Sequence, residues 1–489
     1  MKDNNSSAFT SNAWMAQQSA WEMTADLWES PLYIRDKGEK YLEKFAKENN
    51  LKYEARRLRS VPRNKFRESI ETMAGMVFKA DPAPEKVPDA LKDLFTDIDA
   101  EGNSLHAFCI TSFEKFLRDG GGAILVNATM LSDAAKEKAQ NGEQLTAADR
   151  QGDRPFLNFI EARQIINHRY QKVNGVDVLM QVTIAFTEIE PDGEFGEIEV
   201  QKQLVLRPGE YIIYRQTDKD EWTVQESGGT GLNEIALVPL APFGTPPPML
   251  DMAMLTIKHY NMLSDFDEWV HYTCSPRQVL KFDNDSDAMK YGEVNQAVNV
   301  GMKIYGQYAE AFYLQPTADG MDVAKERIAD VAAEIAGIGV GMLQPSQVAP
   351  KSATEVLDTA GQRQSKLARY AREFENSLEK AFYFIAEYHN IINGGSKIDL
   401  DAAEDIDVRL KMDFDKLTYD TDRIAFLKDL LMSGDLSHTT FYEMLPNFIE
   451  MPQGWTAEKE RQRLSGEEPV IEAQQFAGED VIEERVEKL

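Results

Sequence analysis

Cysteine is nearly missing from this 489-residue chain: Cys109 and Cys274 are the only two, each set among apolar and aromatic neighbours (HAFCITSF, HYTCSP). That leaves no disulfide framework and points to buried thiols in a reducing compartment. Basic residues are also short, 53 Lys and Arg against 82 Asp and Glu, for a formal net charge of −29. Such a balance argues against nucleic-acid binding through a broadly basic surface, so any nucleic acid must be handled in another way. No apolar run approaches the roughly 18 to 20 residues of a membrane span. Met1 to Asn12 lacks the basic start and apolar stretch of a signal peptide, so the expectation is a chain neither exported nor membrane-inserted.

The motifs of catalysis are missing too. There is no GxxxxGK[ST] phosphate loop, and the glycine clusters at 120–122 and 228–231 lack a following Lys-Ser/Thr, so nucleotide binding is not expected. The six histidines are dispersed without HExxH and the two cysteines lie far apart, which gives no metal-ligand spacing. No GxSxG elbow occurs. The acidic clusters Asp265, Asp267, Glu268 and Asp413, Asp415 could be drawn as general acid and base, but in so acidic a chain they read as solvated faces or inter-subunit partners. The expectation is no enzyme, no cofactor and no metal.

What is present is a chain long enough for two or three domain-sized units, with 43% hydrophobic residues to bury their cores. The first third reads mostly helical. Trp14, Trp21 and Trp28 recur at heptad spacing, a packing stripe, and YLEKFAKENNLKYEARRLR repeats its apolar residues every three to four positions. A basic patch, Arg56, Arg57, Arg59, Arg63, Lys65 and Arg67, is read as a solvated helix face or inter-subunit ion pairs rather than a DNA contact. From about 120 to 245 the period changes to two: Val176, Val178, Met180, Val182, Ile184 and Phe186 are expected on one strand face, and PDGEFG and RPG supply turns. Residues 132–153 read as an exposed, mobile insertion.

After the prolines 246 to 248, MLDMAMLTIKHYNMLSDFDEWVHYT predicts a helix of about 25 residues. A short β-containing segment from Ser275 to Gly320 precedes a second helix, MDVAKERIADVAAEIAGIGVGM. LQPSQVAPK then leads to a third helix expected from Ser352, with a capping box to Glu355, as far as Asn393. IDVRLKMDFD alternates like a strand, DRIAFLKDLLMSG is helical, and LSHTTFYEMLP predicts a short helix capped by Ser437. The fold class is therefore α+β, mainly helical.

Four blocks, in order, carry a resemblance. NKFRESIETMAGMVFKADP, PPPMLDMAMLTIKHYNMLSDFDEWVHYTCSPRQVLKF, AKERIADVAAEIAGIGVGMLQPSQVAPKSATEVLDTAGQRQSKLARYAREFENSLEKAF and GDLSHTTFYEMLP resemble the portal proteins of tailed bacteriophages, over roughly residues 50 to 465. Met and Thr stand where Leu and Asn are usual in the first stem block, and the acidic C-terminal tail is unusual. The resemblance implies a portal fold: a wing over 1–246, stem helix 1 over 247–274, a clip over 275–320, stem helix 2 over 321–342 and a channel loop over 343–352. A long wing helix and strand over 353–415 and a helical crown over 416–489 complete it.

What the resemblance implies for function is a twelve-subunit ring at one capsid vertex, assembled in the host cytoplasm and resident in the virion, that passes double-stranded DNA during packaging and ejection. The implied partners are the terminase large subunit, later a neck or adaptor protein, and the major capsid and scaffolding proteins, with no membrane. The candidate residues are Gln344, Pro345, Ser346, Gln347 and Lys351 in the channel loop; Met254, Leu255, Lys258, Lys325, Ile328 and Ile335 in the stem; and Arg277, Lys281, Lys290 and Lys303 in the clip. Met254, Leu255, Ile328 and Ile335 are expected to be covered only in part within one subunit. The alternatives are another neck or minor head component, a hydrolase using acidic residues, and, for the channel loop, an ordinary helix-helix connection.

Overall fold

The structure, a computed structural model, describes residues 6–128, 154–217, 219–274, 277–286, 289, 307–308, 310–314, 320–343, 365–392, 398–399, 406–410, 428–429, 431–433, 437–438 and 440–441. Residues 1–412 form one unit and 413–489 a second.

The first unit opens with helices whose starts are written as side-chain caps. In α1 (Asn12–Glu29) the Ser11 hydroxyl accepts from the Trp14 N–H. Ser30 caps α2 (Pro31–Asp36), Asn49 caps α3 (Asn50–Arg59) and Asn64 caps α4 (Lys65–Val77). Each of these side chains satisfies a donor that the first helical turn leaves unpaired. After β1 (Ala83–Glu85) and the short α5 (Asp89–Lys92), Ser104 caps α6 (Leu105–Asp119). Gly120 ends α6 with φ +73, and a Cβ there would meet the Pro246 carbonyl oxygen, with Pro247 Cα at 2.9 Å. The first glycine cluster thus serves close backbone approach rather than a phosphate.

The tryptophan stripe packs as expected. Trp14 and Trp21 meet edge to face at 6.5 Å, and their indole N–H groups donate at 2.8 Å to the Arg163 and Asp119 carbonyls. Arg67 lies over the Trp28 ring at 5.0 Å.

Two antiparallel sheets follow. β2 (Gly122–Ala128) lies between β3 (Pro155–Glu161) and β9 (Leu237–Pro239). The second sheet is a five-stranded meander of β4 (Ile165–Val173), β5 (Val176–Asp192), β6 (Gly196–Arg207), β7 (Glu210–Gln216) and β8 (Trp222–Gly229). Ala123, Leu125, Ile165, Val182, Ile184, Leu206, Ile235 and Leu237 fill the core between them. The single-face expectation for β5 is corrected here. The register shifts where Arg169 opposes Gln181 and Tyr170 opposes Leu179, leaving Met180 as the extra residue of a β-bulge. A bulge reverses the alternation, so Leu179 joins Val182 and Ile184 at the core while Val176 is exposed.

The remaining elements are the helices α7 (Leu250–Cys274), α8 (Met321–Leu343) and α9 (Lys366–Ile392), the strand pair β10 (Arg277–Lys281) and β11 (Glu310–Leu314), and β12 (Asp407–Arg409), which pairs with β1. α9 buries Leu367, Ala371, Phe374, Leu378, Phe382 and Ile385, a helical stripe against the body of the unit. Phe374 meets Phe78 and Phe113 edge to face at 6.1 and 5.6 Å. The start of this helix differs from expectation. Ser365 is non-helical and its hydroxyl accepts from the Ala368 N–H at 3.1 Å, a cap that begins α9 there. The expected start at Ser352 lies outside the described residues.

In the second unit, the described part of 428–433 is helical, and the Ser437 hydroxyl accepts from the Thr440 N–H at 3.2 Å, the cap predicted for that block.

Candidate functional site

Pro246, Pro247 and Pro248 cannot continue a regular ladder, and the Leu250 N–H returns to the Pro247 carbonyl at 3.2 Å to open α7. α7 then buries Met252, Ala253, Thr256, Tyr260 and Ser264, residues on neighbouring rungs of one face. α8 runs back along it. A Cβ on Gly339 would lie 3.7 Å from Met252, and one on Gly320 would lie 3.5 Å from Trp269. The end of α8 therefore meets the start of α7, and the pair is an antiparallel hairpin. At its far end β10 and β11 pair in antiparallel register from Arg277↔Leu314 to Lys281↔Glu310, and the chain enters and leaves this two-stranded tip by the two helices.

The hairpin is fixed to the N-terminal helices by buried polar contacts. Arg56, 1% exposed, donates to both Glu48 carboxylate oxygens at 3.1 and 2.9 Å, to the Ser264 hydroxyl of α7 at 3.0 Å and to the Glu43 carbonyl at 2.5 Å. Its guanidinium also lies 4.0 Å from the centre of the Phe45 ring. Burial pushes the Glu48 carboxyl up, but the Arg56 hydrogen bonds outweigh it and hold Glu48 below its ordinary range. Asn261 of α7 accepts from the Glu43 N–H at 2.9 Å and donates to the Tyr41 carbonyl at 2.7 Å, and Arg59 pairs with Glu268.

These contacts correct the reading of the basic patch in part: Arg59, Arg63 and Lys65 are exposed, as a solvated face requires, but the others are engaged within the chain. Arg56 is buried, Arg57 pairs with Glu54 at 2.7 Å, and Arg67 pairs with Glu71 at 2.7 Å. The Arg57 and Arg67 pairs lie within α3 and α4, whereas Arg56 and Arg59 reach across to α7. Glu268, once a conceivable acid-base residue, is a partner of Arg59. Asp265 sits 3.9 Å from Arg56, its carboxyl raised by burial and partly held down by that arginine. Asp413 and Asp415 lie outside the described residues.

α8 is the exposed partner. Among its described side chains only Val331 and Ile335 are buried, while Ala329, Ala332, Ala333, Ala336, Gly337 and Gly341 are exposed and Val323 is 69% exposed. Met254, 55% exposed, and Leu255 line an open groove with Asp251, Glu334, Gly337 and Ile338. Ile328 is half-buried. Ile335 departs from its expectation: at 2% exposure it is covered within the chain, because with Val331 it faces α7. Lys258 and Lys325 are exposed and make no ion pair among the described residues.

Of the tip residues, Lys281 faces Glu310 at 3.8 Å and the Arg277 backbone lies in β10. Lys290, Lys303, Gln344, Pro345, Ser346, Gln347 and Lys351 lie outside the described residues. Sequence reasoning missed Arg56, Asn261 and Ser264 as the anchor. The available signal was a polar residue every three or four positions on the inner face of an otherwise apolar helix, Asn261 and Ser264, opposite an arginine-rich one.

Cys109 is buried and unbridged, and burial pushes its thiol up, away from reactivity. Among the described residues no helix is long and apolar enough to cross a membrane, and no three His, Cys, Asp or Glu side chains gather as a metal site.

Residues 248–389 match a family described as a domain of unknown function, DUF4055, a stretch running from the start of α7 through the tip and α8 into the last turn of α9. No curated protein matches the chain. Among solved structures, a chain of "Virion of native gene transfer agent (GTA) particle" aligns with a TM-score of 0.38 at 10% identity, over 85% of this chain and 99% of that one. That likeness is remote, and the functional reading rests on this chain's own residues and geometry.

Proposed function

We propose that this chain is the portal protein of a tailed bacteriophage, a non-enzymatic subunit of a twelve-membered ring at one capsid vertex through which double-stranded DNA is packaged and ejected. The observation that carries the reading is the antiparallel pair α7 and α8, of 25 and 23 residues, tipped by a two-stranded ribbon and tied to a mixed α/β body by Arg56. Helices of that length reach about 35 Å at 1.5 Å per residue. α8 leaves apolar and small side chains exposed along its length, which suits side-by-side packing of hairpins in a closed heterologous ring. The order of the four sequence blocks supports the same reading.

In this role the acidic composition has a use. Twelve copies of a chain at −29 carry on the order of −350, and like-charged walls repel phosphates so that the duplex slides. The terminase docks at the β10 and β11 tip and supplies the energy of packaging, and a neck or adaptor protein later takes its place. In this reading Lys351 offers the passing DNA one weak phosphate contact per subunit.

Native mass spectrometry and negative-stain imaging of the purified chain test this directly. Closed rings with a central hole are expected; monomers alone across protein and salt concentrations would overturn it. Changing Gln344, Gln347 and Lys351 together to Ala should leave rings intact and alter packaging or retention of DNA.

A further inference from the structure

The β5 and β6 strands, 17 and 12 residues long, outrun their neighbours. β4 pairs with β5 only as far as Ile184, and β7 reaches β6 only from Lys202. Beyond those points, residues 185–192 and 196–201 continue as a two-stranded ribbon, which after Ala185, Phe186 and Thr187, set in a groove beside α1, has no strand on either outer edge among the described residues.

Its two faces differ in charge. On one, Lys202 neutralises Glu188 and Glu190 at 2.7 and 2.8 Å, and Arg215 adds a second contact to Glu190 at 2.8 Å. On the other, Ile189 lies opposite Glu199 and Pro191 opposite Glu197. Asp192, Glu194, Glu197 and Glu199 make no ion pair among the described residues. The tip presents Phe195 at 92% exposure, with Ile189 at 62% and Ile198 at 47% behind it.

We infer that this ribbon is a docking edge for a basic, extended segment of a different polypeptide, which adds as a strand, sets its lysines or arginines against Glu197 and Glu199, and covers Phe195. Charges on an open edge commonly serve to block self-pairing, which accounts for the acids but not for an exposed phenylalanine at the turn. Unpaired N–H and C=O groups along an edge accept a strand through the backbone, and the side chains beside it select the sequence. The ribbon of a second copy is a poor occupant, since it brings the same Glu194, Glu197 and Glu199, and like charges set opposite one another repel. The inference does not depend on the portal reading.

The test uses the full chain and a dye-labelled synthetic peptide of about eight residues alternating Lys with Val and Thr, followed by fluorescence anisotropy at about 0.15 M salt. A control peptide of equal charge carries two prolines, which remove strand donors. The lysine peptide should bind at least about tenfold more tightly than the proline peptide, and about tenfold more tightly to the wild type than to a Phe195→Ala, Glu197→Gln, Glu199→Gln variant. All three positions are exposed, so the variant should keep its circular dichroism and melting point; Glu194→Lys is a second variant with the same expected loss. Equal binding of the two peptides would mean charge adsorption alone, and equal binding by the variants would put the site elsewhere; either overturns the inference. So would concentration-dependent self-association of the wild type that the same variants abolish, because the occupant would then be a second copy.

Discussion

Arg56 shows how much one side chain can decide. It is buried with its partner Glu48 and bridges to Ser264 of α7, so removing it strands a carboxylate and a hydroxyl in a site closed to water. Arg56→Ala should lower unfolding stability by about 3 to 5 kcal/mol, the usual effect of breaking a buried pair from one side. Denaturant titration reads this, and a loss below about 1 kcal/mol would show that the pair contributes little. Arg56→Lys should recover only part, because an ammonium cannot reproduce the forked contact to Glu48. A second buried network gives a pH dependence. Glu161 pairs with Arg118 at 2.8 Å and Arg163 at 2.7 Å; burial pushes its carboxyl up, but these cations outweigh it and hold it at about 2, below an ordinary 4.5. A depressed folded value adds stability above the unfolded value and loses it as pH falls through the folded one. The stability gap between wild type and Glu161→Gln should therefore be widest above about pH 5 and shrink toward pH 2. An unchanged gap across that range would rule out Glu161 ionisation as its source.

At the scale of elements, long periodic segments were legible and local competitions were not. The prolines 246 to 248 and the length of the apolar run that follows place α7 almost to the residue, since a breaker and a helical period mark both ends. The face of β5 was misread because a bulge at Met180 leaves no trace in an alternating pattern; it exists only in the pairing with β4. The start of α9 differs because the capping-box pattern at Ser352 and Glu355 marks a helix start in the sequence, whereas it is the Ser365 hydroxyl that bonds the Ala368 N–H and opens α9. Hairpin residues likewise divide by where they point. Ile335 faces α7 and is buried, whereas Val323 is exposed. Ile335→Ala should cost about 2 to 5 kcal/mol through the cavity it leaves. Val323→Asp should leave the unfolding transition within about 0.5 kcal/mol of wild type and, if α8 packs against a neighbour, prevent ring formation in native mass spectrometry. Loss of stability in the second variant, or rings undiminished by it, would remove that face from the interface.

At the scale of the whole molecule, charge is the property the sequence exposes most plainly and the fold least explains. The described basic residues are largely consumed by internal pairs, as Arg56, Arg57, Arg59 and Arg67 are, so the excess of acid faces outward. Hairpins set side by side in a ring bring that excess together. Repulsion between exposed charges reaches about 30 Å at 0.01 M salt and about 10 Å at 0.1 M, while contact between apolar side chains on α8 changes little over that range. Ring assembly should therefore strengthen as salt rises from about 0.01 M to 0.3 M, opposite to the weakening expected of an interface held by ion pairs. Mass photometry at fixed protein concentration, scanned across salt, reads the fraction of chains in rings. A fraction that falls steadily with salt would mean that charge pairs hold the subunits together and that the acidic surface lies away from the contacts.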